Sequence, residues 1–169
     1  ECVEEALSKE GQIIFVGDFI DSFDRSLKDH DDCYRLVIEA IEKKKARAIY
    51  GNHELSYLMP KRHICSGFTD ERLHIINVHK DKILELFEPY IHLSDGILVS
   101  HAGLTGRLWT DHNLNLDILN AILKRWWLDS HSPMHFIGRF RGGIDPYGGL
   151  FWCDFRQEFN SVPELTQVF

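Results

Sequence analysis

The chain has 169 residues, 44% of them hydrophobic, which is enough for one α/β core and unlike a disordered, collagenous or membrane-spanning sequence. Its 26 acidic against 19 basic residues leave a net charge of −7, which disfavours non-specific binding to a nucleic-acid backbone or an anionic membrane surface. Any phosphate bound here has to be held by a local feature. Apolar runs such as residues 12–16 and 96–99 are too short to cross a bilayer, and no basic segment followed by a long apolar stretch marks a signal peptide, so a soluble, cytoplasmic protein is expected. Cys2, Cys33, Cys65 and Cys153 form no C-x-x-C pair, which leaves neither a zinc knuckle nor a thioredoxin-like motif and points to reduced thiols.

Taken along the chain, strand and helix patterns alternate, as in an α/β architecture. Cys2, Val3, Ala6 and Leu7 make the apolar stripe of a helix already under way at the first residue. Residues 13–16 are a continuous apolar run ending in Gly17-Asp18, as expected of a buried strand that opens into a functional loop. Cys33, Leu36, Val37, Ala40 and Ile41 fall at helical spacing, and the basic run 43–45 suits the negative end of that helix. A short strand over 46–50 then delivers Gly51-Asn52-His53-Glu54. Residues 59–78 have weak periodicity and read as a loop-rich insertion beside the site. Ile83, Leu86, Phe87 and Tyr90 recover helical spacing, and 96–99 is a third strand, ending in Ser100-His101-Ala102-Gly103. Leu119, Ile122, Leu123, Trp126 and Trp127 predict a further helix whose aromatic pair packs. A Gly-rich stretch around Arg139 to Gly143 precedes a strand over 150–153, and a last strand begins near Leu165. Both chain ends read as cuts.

The chemistry concentrates at the strand tips. Asp18, Asn52 and His101 are oxygen and nitrogen donors, each following a buried strand, and three such tips in one domain suit divalent ions at one sheet edge. Single residues of these types at strand ends are commonly structural; the conjunction carries the signal. His53-Glu54 is not a zincin helix, because H-E-x-x-H requires histidine where Tyr57 stands. Ser100 is not in G-x-S-x-G, because position 98 is Leu98.

In order and spacing, Gly17-Asp18-Phe19-Ile20-Asp21 resembles G-D-x-x-D, Gly51 to Glu54 is identical to G-N-H-E, and Ser100-His101-Ala102-Gly103-Leu104 is similar to the H-x-G motif of the calcineurin-like metallophosphoesterases. His-Ala-Gly resembles the branch that holds serine/threonine protein phosphatases and symmetrical dinucleoside-tetraphosphate hydrolases. The resemblance covers nearly the whole chain and implies a sandwich of two mixed β-sheets flanked by helices, truncated at both ends. It implies two divalent metal ions, of which Mn, Fe and Zn suit the ligand types, with Asp18 bridging them and Asn52 and His101 on the second. The same resemblance makes His53 the general acid for the leaving oxygen, with Asp21 orienting and charging it. It also implies direct attack on phosphorus by a hydroxide held between the metals, with no phosphoenzyme.

Where the family commonly carries an arginine that grips phosphate after the second Asp, this chain has Ser22 and then Arg25 three positions on. Arg25, Arg139 and Arg141 are the candidate phosphate contacts, each equally compatible with a surface role. The D-x-H-G and G-H-T motifs of the family are absent, read as removed with flanking sequence, so that the piece itself should bind metal weakly and turn over poorly. The expected substrate is phosphorylated: a phosphoprotein, a dinucleoside polyphosphate or a small phosphoester. The rival reading is a non-catalytic relative serving as a binding or scaffold module, against which the joint presence of Asp18, Asp21, Asn52, His53 and His101 argues.

Overall fold

The computed structural model describes residues 2–93, 96–125 and 131–169. Two compact units follow each other along the chain, Glu1–Glu88 and Pro89–Phe169.

The first unit opens with helix α1 (Cys2–Leu7) and strand β1 (Ile13–Phe15), followed by helix α2 (Leu27–Glu42) and strand β2 (Ala46–Ile49). Helices α3 (Asn52–Leu58) and α4 (Asp70–Leu86) lead to the two-residue strand β3 (Phe87–Glu88). The sheet runs β1-β2-β3, all parallel, with Ile13 opposite Ala46 and Ala48 opposite Phe87. Helical crossovers are what parallel pairing requires. Small residues at Ala46 and Ala48, both buried, let α2 pack closely on β2, and α2 also packs on α4. Tyr34, Val37, Ile49, Tyr50, Ile76, Ile83 and Phe87 fill the core.

Helix α2 starts at a capping box: the Ser26 hydroxyl accepts from Asp29 N at 3.2 Å while the Asp29 carboxylate accepts from Ser26 N at 2.9 Å. Its buried face is His30, Tyr34, Val37, Ile38 and Ala40, rotated from the predicted stripe. Cys33 and Leu36 are only half-buried, because they line an open groove together with Val3 of α1.

The segment over 59–78 departs from its loop-rich reading. Only its first half is irregular; from Asp70 onward it is α4, started by Thr69, whose hydroxyl accepts from Arg72 N at 3.3 Å. The helix has a weak apolar stripe, since Ile75, Ile76 and Ile83 carry nearly all its burial, so periodicity alone underrates it. Phe87, expected in that helix, has left it for β3.

In the second unit, strands β4 (Ile91–His92), β5 (Ile97–Val99) and β6 (Thr166–Val168) form a mixed sheet ordered β4-β5-β6, antiparallel then parallel. Helices α5 (Gly106–Asp111) and α6 (Leu116–Leu123) and two 3₁₀ turns, Pro133–His135 and Arg139–Arg141, complete it. The expected strand over 150–153 is instead a turn, with Trp152 N and Cys153 N both donating to Gly149 O. Burial without alternation imitates a central strand: Leu150, Phe151, Trp152 and Cys153 are all buried, yet around a tight bend. Trp126 and Trp127, expected to close α6, lie outside the described residues. Among the described residues no helix is long and apolar enough to cross a membrane.

Candidate active site

In the first unit the tips of β1 and β2 stand side by side, as their parallel pairing requires, and the two motif loops meet there. Gly17 has φ 91°, and a Cβ on it would lie 2.3 Å from Gly51 N. Only glycine allows both the left-handed backbone and this approach. Asp18 and Asp21 also adopt positive φ, 61° and 71°, a conformation costly for residues with a side chain. Two such residues three positions apart show that the loop is held by its surroundings against its local preference.

Glu54 does much of the holding. It is fully buried and accepts from Asp18 N, Phe19 N and Gly51 N, each at 2.8 Å, and from the Tyr34 hydroxyl at 3.0 Å. One carboxylate thus ties both loops together. Burial pushes its pKa up and the charge of Asp18 adds to this, while the three backbone N–H groups work in the opposite direction. No role for Glu54 is read from the motif, although its place three residues after an N-capping Gly51 is a helix-start signal.

Four of the sequence-predicted residues come together on this frame. His53 N donates to Asp18 Oδ1 at 3.2 Å, and His53 Nδ1 lies 2.7 Å from Asp21 Oδ2. Because an ionised carboxylate only accepts, Nδ1 carries the proton and Nε2 is the atom left for chemistry. Burial acts against the charged ring, but the hydrogen bond to Asp21 and the charges of Asp18, Asp21 and Glu54 outweigh it and raise the His53 pKa. Asn52 begins α3, and its amide Nδ2 donates to Cys65 Sγ at 3.2 Å, while that thiol donates to Asn52 O at 3.2 Å.

Asp18 and Asn52 supply hard oxygen donors from adjacent strand tips, a set that fits part of a divalent-metal site. The bond to Cys65 uses the Asn52 amide nitrogen, and the amide oxygen is the atom a hard cation would take. Among the described residues no three of His, Cys, Asp and Glu are grouped to hold a metal ion.

The remaining candidates are placed as follows. Arg25 is exposed on the loop before α2, on a groove of about 700 Å³ that Asp18, Ser22, Lys28 and His30 also line. His101 follows β5 in the second unit, half-buried, where Ser100 N continues the ladder by donating to Val168 O at 3.1 Å. Arg139 and Arg141 are exposed on the second 3₁₀ turn, and Arg141 Nε lies 3.1 Å from Asp154 Oδ2.

A family model, calcineurin-like phosphoesterase, matches residues 1–164. No curated protein and no solved structure matches the chain. The chain belongs to the calcineurin-like phosphoesterases, a family of metal-dependent phosphoester hydrolases, and its mixed α/β build with two small sheets agrees with that membership.

Proposed function

We propose that the protein hydrolyses a phosphomonoester or phosphoanhydride, in a phosphoprotein or a dinucleoside polyphosphate, with His53 as general acid and Asp21 orienting it. The observation that carries this reading is the 2.7 Å contact between His53 Nδ1 and Asp21 Oδ2 directly beside Asp18. Hydrolysis adds the oxygen of water to phosphorus and breaks the bond to the leaving oxygen, which departs with the bonding pair and needs a proton. His53 Nε2 supplies that proton, while Asp21 accepts the hydrogen bond from Nδ1–H and stabilises the imidazolium, the Nδ1 proton staying on the ring. Asp18 and Asn52 hold the metals in this reading; His101 enters as a ligand by its motif alone, and Arg25, which lines one groove with Asp18, is the phosphate contact. Two divalent cations, Mn, Fe or Zn, supply when bound the Lewis acidity that activates water and neutralises phosphoryl charge. The three described free cysteines fit a reducing compartment and hence the cytoplasm.

The test is turnover of phenyl phosphate and of a panel of phosphopeptides and diadenosine polyphosphates by the full-length protein under saturating Mn. His53→Asn is expected to lower kcat about a hundredfold or more on phenyl phosphate, the usual contribution of a general acid. Unchanged turnover removes His53 from the mechanism, and the preferred panel member sets the substrate class.

A further inference from the structure

Asp21 has a second oxygen, and the molecule spends two side chains on it. The carboxylate is wholly shielded from solvent. Oδ2 faces His53, while Oδ1 accepts from the Tyr57 hydroxyl and stands 3.6 Å from Arg72 Nη1. Arg72, at the start of α4, is itself fastened at both ends of its fork: Nη1 donates to Gly67 O at 2.6 Å and Nη2 to Ser22 O at 3.1 Å. Tyr57 sits one helical turn after His53 on α3, with its ring stacked on Phe68 at 4.6 Å between centroids. Gly67, at φ 101°, closes the arrangement, since a Cβ there would meet Asp21 Cβ at 3.0 Å. None of these residues belongs to a metal-ligand motif.

The torsion that turns a carboxylate about its stem is broad, so one hydrogen bond to His53 does not fix which way Asp21 faces. A hydroxyl that donates to Oδ1, with a guanidinium held 3.6 Å from that same oxygen, does fix it, and the two leave Oδ2 to His53 Nδ1. The guanidinium also offsets the charge of a carboxylate that has lost its water, which one neutral hydroxyl does not achieve. Arg72 is the better suited of the two to hold orientation, because its planar fork is anchored on two separate carbonyls.

We infer that Arg72 and Tyr57 are positioning residues for leaving-group protonation, acting through Asp21 to keep His53 Nε2 aimed at the leaving oxygen. The inference rests on the assignment of His53 as general acid and adds residues that the family motifs do not contain. A purely structural role, tying the 65–69 segment to the Asp21 loop, predicts a different result, and leaving-group chemistry separates the two. Phenyl phosphate needs a proton for its departing oxygen; 2,4-dinitrophenyl phosphate leaves without one.

Tyr57→Phe, Arg72→Ala and the double variant are compared with wild type on both esters. Positioning predicts that kcat on phenyl phosphate falls about tenfold or more in Arg72→Ala, less in Tyr57→Phe, with the dinitrophenyl ester within roughly threefold of wild type. Added guanidinium should restore part of the loss in Arg72→Ala. A second readout needs no turnover: in metal-stripped protein, ring ¹⁵N spectra should show His53 protonated on Nδ1 in wild type and a mixture of ring tautomers in the double variant. Equal losses on the two esters, or no loss on either, overturn the inference, as does an unchanged His53 ring spectrum. If the full-length wild-type protein, which in this reading carries the flanking ligand motifs, hydrolyses neither ester, the proposed function fails, and the ring spectra still decide whether Arg72 and Tyr57 orient His53.

Discussion

Gly17 and Gly51 approach so closely that a Cβ on Gly17 would stand 2.3 Å from the Gly51 nitrogen and 2.9 Å from the Tyr50 carbonyl carbon. The close pairing of these two backbones puts the aspartate of one strand tip and the asparagine and histidine of the next within a few residues of a common point.

Gly17→Ala should therefore destabilise the protein by at least about 2 kcal/mol, because it combines a steric clash with rigid backbone and a left-handed φ that alanine resists. Urea unfolding gives the number. Gly11→Ala is the control: its φ is also positive, 102°, but a Cβ there meets nothing within 4 Å, so it should cost clearly less.

Glu54→Gln is nearly isosteric and removes a charge whose ionisation burial disfavours, yet it should destabilise by about 2–4 kcal/mol. The glutamine amide nitrogen has to face one of two donor pairs, either Asp18 N with Gly51 N or Phe19 N with the Tyr34 hydroxyl. A donor set against donors is worse than the strained carboxylate. Thermal unfolding of the variant at neutral pH checks this, and a melting temperature equal to wild type would show that the desolvation cost of the charge is the larger effect.

The raised pKa of His53 fixes the sign of a pH effect. The folded value lies above the unfolded one of about 6.5, so the protonated ring stabilises the fold fully below that pH, and the contribution fades as pH rises through the folded value. In metal-stripped protein, His53→Asn should cost stability at pH 5.5–6, about one unit or less below the reference value, and lose progressively less toward pH 9. Urea melts of both proteins at each pH measure it; a deficit that grows with pH contradicts the assignment.

Burial pushes the Cys65 thiol up to about 12, with the charges of Asp18 and Asp21 adding to the shift and its bonds to Asn52 and Ser56 opposing it. At pH 8 only roughly one molecule in ten thousand then carries the reactive thiolate. Iodoacetamide should label half-buried Cys33 well before Cys65 in the folded protein, as read by peptide mass spectrometry, and both alike in urea. Prompt labelling of Cys65 in the native state would mean that its bond to Asn52 is not maintained in solution.

Much of the site was legible from the residues alone, for a specific reason. The motifs place their functional residues at the first positions after buried strands, and an uninterrupted apolar run ending in Gly-Asp or Gly-Asn marks such a tip wherever the chain folds. Asp18, Asp21, Asn52 and His53 could be picked out because each lies within six residues of a strand end. Helix α2 and strands β1, β2 and β5 were likewise visible as local patterns. The segment over 59–78 could be named as a neighbour of the site but not given a task, because its contacts to Asn52 and Asp21 come from Cys65 and Gly67 of its irregular half and Arg72 of α4 through separations of 13 to 51 positions.

By itself, then, the sequence determined the family, the elements β1, α2, β2 and β5 and the identity of the polar residues at each strand tip, since these follow from local periodicity and short motifs. The tertiary structure alone decided what holds those residues: that Glu54 binds two loops at once, that both motif aspartates sit at positive φ, and that Arg72 and Tyr57 take the oxygen of Asp21 that His53 leaves over. A polar contact between distant residues has no signature in either partner, because arginine at a helix start and tyrosine one turn after a histidine are ordinary until the chain closes around a buried charge.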